Sequence, residues 1–188
     1  MVRELLADLY LRLAHWELVG EVPGTSAVII GAPHTSNWDF PKLVAAKWKW
    51  RFRPRWIGKH TLFRRPFGAL FRRMGGIPVN RERPGHLVEQ MASLFASQVP
   101  VHLVITPEGT RSPAPYWKSG FYHIARRANV PVVTGFVDYG KRRFGLGATV
   151  ELTGDVVSDM NGIRRFYQDK RGRRPENQGP IRLAEEER

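Results

Sequence analysis

No cysteine occurs among the 188 residues. A disulfide framework, a thiolate zinc site, an iron–sulfur cluster and a cysteine nucleophile are thereby excluded. Long apolar runs are also missing. The most apolar stretch, residues 27–33, falls far short of the roughly 20 residues that span a bilayer. Glu4, Asp8 and Glu17 interrupt the stretch where a secretory signal would need an apolar core. The expectation is a cytoplasmic protein, peripheral to the cytoplasmic face of a membrane and without a transmembrane segment. No serine sits in a Gly-x-Ser-x-Gly elbow. A P-loop is ruled out because Arg53 stands where the first glycine would precede Gly58-Lys59. His15, His34, His60, His86, His102 and His123 show no metal-ligand spacing, so no metal site and no bound cofactor are expected. Acidic residues are scarce as well. Seventeen Asp/Glu face 30 Lys/Arg, a formal net charge of +13, which draws the chain to anionic partners.

The length suits one domain with a core of useful size. Residues 2–19 read as a helix, with Val2, Leu5, Leu6, Leu9, Leu13 and Trp16 on one stripe. The stripe suits a helix that covers the core or one that lies on a membrane surface. Residues 27–31 are a β-branched run closed by Gly31, a buried strand. Pro33 to Ser36 break it, and Ser36 or Asn37 can cap a helix running to about Trp50. Further strands are expected near Ile57, at 77–80, at 101–106, at 130–137 and at 148–152. Helices are expected at 61–74, interrupted at Pro66, and at 84–97 and 120–129. This alternation predicts an α/β fold: a single domain with a partly parallel central sheet flanked by helices. Its parts are an amphipathic helix over 1–20, the domain over 21–163 and a loose tail over 164–188, basic and then acidic.

The positive charge is concentrated. Residues 41–83 hold 13 Lys/Arg and one Glu. Within them, residues 48–56 interleave Trp48, Trp50 and Trp56 with Lys49, Arg51, Arg53 and Arg55. Tryptophan rings suit a lipid–water boundary and Lys/Arg suit anionic headgroups, so an anionic membrane is the expected partner of this stretch. The same mix can stack on single-stranded bases, or be a solvated face with half-buried tryptophans.

His34 and Asp39 lie five positions apart. On one continuous helix that offset is about 140° and the two would not meet. On a loop entering a helix they can, and the loop here comes after a strand end, where open α/β sheets bind ligands. A carboxylate on one imidazole nitrogen fixes the tautomer and leaves the other nitrogen to take a proton, which suits activation of a substrate hydroxyl. Thr106 to Ser112, Thr-Pro-Glu-Gly-Thr-Arg-Ser, comes after the clearest strand and supplies a turn with a carboxylate, a hydroxyl and a guanidinium. Gly75 to Arg81 ends a second element in an arginine. Guanidinium forks match phosphate oxygens.

With these blocks in place the chain resembles the glycerolipid acyltransferases of the lysophosphatidic acid acyltransferase type. The resemblance runs from about Gly31 to Val137 and rests on His34 to Asp39, Gly76 to Arg81, Thr106 to Ser112 and the run Val130-Pro131-Val132-Val133. It departs at Thr106, where the family usually has Phe, and at Val133 to Phe136, which lack a second proline. The resemblance implies a general base at His34, supported by Asp39. It implies an acceptor-phosphate ligand at Arg81, a nearby lysine at Lys59 and an acceptor-binding turn at Glu108, Gly109, Thr110 and Arg111. The substrates it implies are a lysophospholipid, 1-acylglycerol-3-phosphate above all, and an acyl thioester, acyl-CoA or acyl carrier protein. The expected reaction is direct transfer without an acyl-enzyme. Other lipid acceptors, a non-catalytic lipid-binding protein and a nucleic-acid-binding module are the alternatives. The last has no use for His34 or Asp39, so no nucleic acid is expected.

Overall fold

A β-branched run packs best where both faces of a strand are covered. The run at 27–32 is that strand. A computed structural model of the chain describes residues 2–79 and 86–187. Ala27–Ala32 is the middle strand, β2, of a seven-stranded sheet. The others are β1 (Glu17–Val19), β3 (Arg55–Lys59), β4 (Gly76–Val79), β5 (His102–Ile105), β6 (Val132–Asp138) and β7 (Arg143–Val150). Their order is β1-β7-β6-β2-β5-β3-β4. Every neighbouring pair is parallel except β6 with β7. The sheet is thus mostly parallel and helix-flanked, as the alternation predicts.

Alternation along β2 divides the core in two. Val28, Ile30 and Ala32 face a cluster with Leu103, Phe121, Ile124, Met160, Ile163 and Leu183. Ala27 and Ile29 face Phe52, Val133 and Leu146 on the other side. The first face is covered by α4 (Leu87–Ala92), α5 (Gly120–Ala128) and α6 (Val156–Tyr167). The other is covered by α1 (Val2–Ala14) and α2 (Asp39–Lys49). A short helix, α3 (Gly68–Arg73), comes after a 3₁₀ turn over His60–Phe63 between β3 and β4. No described helix is long and apolar enough to cross a membrane.

Several expectations are corrected. The helix expected over 2–19 stops at Ala14; His15 takes φ of 55° and the chain turns into β1. Its apolar stripe does not cover the core. Val2, Leu5, Leu9 and Leu13 are 53–72% exposed, and Leu6 is close behind. Ala7 is buried instead, against Ala45 and Ala46 of α2, where only small side chains let two helices approach. Ion pairs Asp8–Lys49 and Glu4–Arg51 flank that contact. The tryptophans of 48–56 turn inward. Trp48 and Trp50 pack in the α1–α2 cluster, and Trp56 lies 5.6 Å from the Phe63 ring and edge-on to Phe71. All three are half-buried, so the rings expected at a lipid boundary fill gaps in the core while the arginines between them are exposed.

The tail expected to be loose is not. Its first residues complete α6, which Asp155 caps by accepting the Ser158 N–H at 3.1 Å, and the chain beyond packs on the domain. Leu183 is 1% exposed and bridges to Trp117 as a parallel partner. Arg164 bonds the Ile181 carbonyl at 2.9 Å and pairs with Glu186. Buried leucine and paired charges offset the ordering entropy that a polar, Gly/Pro-rich segment would otherwise keep.

Candidate active site

β2, β3, β4, β5 and β6 all run the same way, so their carboxyl ends share one edge. Chain order reverses at β2: after it the chain moves out to β3 and β4 on one side, and after β5 it crosses back to β6 on the other. That switch, at the end of β2, is the place where open α/β sheets take ligands. His34 lies there, two residues past the strand.

The loop from Pro33 to Trp38 turns before the helix starts. α2 begins at Asp39, two residues later than a cap at Ser36 and one later than a cap at Asn37 would put it, and the Ser36 hydroxyl accepts the Trp38 N–H at 3.2 Å instead. This turn brings the two expected residues together. His34 Nδ1 is 2.9 Å from Asp39 Oδ2. The imidazole is 28% exposed and the carboxylate 9%. With Nδ1 engaged as donor, Nε2 is the nitrogen left to take a proton.

Three groups that spacing could not supply hold this pair. The Tyr139 hydroxyl donates to Asp39 Oδ1 at 2.9 Å, from the end of β6 and a hundred positions along the chain. Burial first, and the Asp39 charge second, push the Tyr139 pKa out of the titrating range, so it stays a donor. Lys42 is buried beneath, its Nζ 4.3 Å from the Trp16 ring centroid and 4.7 Å from that of Tyr139, bonded to the Trp38 carbonyl. Burial lowers its pKa, while the Asp39 charge works against that lowering. Glu108 is the third. Expected to bind acceptor, it is 7% exposed and turned inward, and its Oε2 accepts the His34 backbone N–H at 2.6 Å. Burial raises its pKa to about 7. It is a strut for the histidine, not an outward-facing ligand.

The rest of the turn faces out. Gly109 takes φ of +67°, a conformation that only glycine adopts freely, and closes the turn through its N–H to the Thr106 carbonyl. Thr110 and Arg111 are exposed, and Arg111 donates to Asn37 Oδ1 on the histidine loop. Lys59 is exposed at the end of β3 and shares the edge of the sheet with the pair. Arg81 lies outside the described residues. Among the described residues, no three His, Asp or Glu side chains are grouped to hold a metal ion. The site is a half-open imidazole on a carboxylate, with Lys42 beneath it and Arg111 on the same loop: equipment to take a proton from an alcohol beside an anionic group.

The fold is similar to that of the crystal structure of the 1-acyl-sn-glycerophosphate (LPA) acyltransferase PlsC from Thermotoga maritima. The TM-score is 0.55 at 16% identity, over 89% of this chain and 74% of that one. No curated protein sequence matches the chain. Residues 17–137, which carry β1 to β5, all but the last residue of β6 and the whole histidine loop, match the acyltransferase family model, and the chain belongs to the acyltransferase family.

Proposed function

We propose that this acyltransferase moves a fatty acyl group from an acyl thioester, acyl-CoA or acyl carrier protein, to a free hydroxyl of a lysophospholipid, 1-acylglycerol-3-phosphate being the acceptor that fits the basic site. The observation that carries this is the 2.9 Å contact of His34 Nδ1 with Asp39 beside a half-open ring. Nε2 takes the proton of the acceptor hydroxyl as its oxygen attacks the thioester carbonyl. A C–O bond forms, the C–S bond breaks, and the proton passes to the departing thiolate. Asp39 stabilises the imidazolium between these steps. No protein nucleophile is needed, and cysteine is absent from the chain. The expected acceptor-phosphate ligand, Arg81, comes two positions after the last residue of β4 in the sequence.

Both substrates carry fatty chains and concentrate at membranes. The exposed leucines of α1 give the protein an apolar face for that surface, with exposed Arg51 beside it, paired to Glu4. This face replaces the tryptophans of 48–56 as the docking element.

The test is incubation of the purified protein with acyl-CoA and a panel of lysolipids, with products identified by mass. Diacylated phospholipid is expected from the lysophosphatidate arm, with His34→Ala slowing it by about 10²–10⁴-fold. Free CoA without lipid product, or an unslowed His34→Ala, would overturn the reading.

A further inference from the structure

The C-terminal segment reaches the active-site loop itself. The Tyr139 N–H donates to the Arg171 carbonyl at 2.7 Å, and the Arg174 N–H donates to Thr35 Oγ1 at 3.1 Å. Between these anchors Gly172 lies so close to the loop that a Cβ there would come within 2.6 Å of Thr35 Oγ1. Gln178 braces the turn, accepting the Gly172 N–H at 2.8 Å and donating to the Lys170 carbonyl at 3.1 Å. The backbone of Arg173 is therefore held on both sides.

Its side chain is exposed. The guanidinium sits 5.2 Å from the Trp38 ring centroid. Trp38 is 59% exposed, so it serves as a platform and leaves the rest of the fork free to face solvent. Arg111 joins the same loop through Asn37, and Arg174 through Thr35. Arg174 meets the loop through its backbone N–H, so the guanidiniums that sit on it are two, Arg173 over Trp38 and Arg111 on Asn37, from distant segments of the chain. The carboxylates of this loop do not neutralise the outward face, because Asp39 and Glu108 are turned inward to His34.

We propose that Arg173, with Arg111 on the same loop, forms an anion subsite that takes a phosphate group of a substrate next to His34. This rests on the reaction proposed above and adds to it a ligand outside the motif blocks. A guanidinium whose backbone is already pinned loses little freedom on binding, and a forked donor pairs with two phosphate oxygens at once. The phosphate has two sources, the phosphomonoester of the acceptor or the phosphates of coenzyme A.

The experiment compares Arg173→Ala and Arg173→Lys with the full-length protein. Arg127→Ala, an exposed position on α5, serves as the charge control. KM is measured for lysophosphatidate against monoacylglycerol, and for acyl-CoA against acyl-pantetheine. Calorimetric titration with CoA and with glycerol 3-phosphate gives binding without turnover. Arg173→Ala is expected to raise KM about tenfold for one phosphorylated substrate and weaken the matching titration, leaving its dephosphorylated analogue alone. The arm that responds names the source. Arg173→Lys is expected between the two, and Arg127→Ala at wild type. Equal effects on phosphorylated and dephosphorylated substrates, or none, would overturn the subsite. A protein that binds these phosphates through Arg173 yet transfers no acyl group would overturn the reaction instead and leave the subsite standing.

Discussion

Glu108 carries a charge that changes near neutrality. In the unfolded chain its carboxyl titrates near 4.5, and in the folded protein burial raises that to about 7. The folded state therefore favours the protonated form. The stability this contributes is complete below about pH 4.5 and is lost as pH rises to about 7, amounting to about 3 kcal/mol. Glu108→Gln keeps an oxygen for the His34 N–H and removes the titration. Between pH 5 and pH 8 the wild type is expected to lose several degrees of Tm more than the variant. Parallel curves of Tm against pH would show that the carboxyl is not held as described. At this scale the sequence is informative for residues tied by short spacing. His34 and Asp39 are legible because a strand end, a proline and a turn sit around them. Glu108 is legible as a residue of the site but not in its direction, since a turn sequence does not say which side chain points inward. Tyr139 is not legible at all: a lone tyrosine a hundred positions away has no spacing to betray it, and only the pairing of β6 with β2 brings it to Asp39.

α1 shows what periodicity does and does not report. The stripe of Val2, Leu5, Leu6, Leu9 and Leu13 is real, yet it faces solvent because the docking face is built from Ala7, Tyr10 and Leu11. Periodicity says that an apolar face exists, not what covers it. The tryptophans of 48–56 reverse the lesson. Interleaved with arginine they read as a surface, but two-residue alternation also suits rings that fill gaps while their neighbours stay in water. The two elements respond to mutation in opposite ways. Changing Leu5, Leu9 and Leu13 together to Gln is expected to cut flotation with anionic phosphatidylglycerol liposomes at least about tenfold, since each buried leucine contributes roughly 1.5–3 kcal/mol. Tm should stay near wild type, because these side chains touch water already. Trp48→Ala should do the reverse, lowering Tm and leaving flotation alone. A triple variant that floats like wild type would remove α1 as the docking element.

The whole molecule is a sheet legible in its alternating strands and helices, closed by a segment whose composition disguises its order. Short β-branched runs separated by helices allow little besides a mostly parallel sheet, because parallel neighbours need crossovers and the helices supply them. The far end is where that logic stops. Residues 164–188 have the composition of a tail, rich in Arg, Gly, Pro and Glu. Their order comes from partners scattered over the fold: Trp117 for Leu183, Tyr139 for Arg171, Thr35 for Arg174 and His123 for Glu185. Tyr167 adds a link from α6, its buried hydroxyl lying 3.0 Å from the Ile30 carbonyl and 2.8 Å from that of Gly135, which ties the helix to β2 and β6 near the site. Removing residues 168–188 should therefore cost on the order of 5 kcal/mol, from one buried leucine and several hydrogen bonds at about 1 kcal/mol each. That rivals the net stability of an ordinary domain, so the urea midpoint should fall steeply. A loose tail would leave the midpoint where it is and would be cut at once by trypsin at Lys170, Arg171 and Arg173. A packed one should protect those three bonds until the domain itself unfolds, because cleavage needs the local backbone released from Tyr139 and Thr35 first.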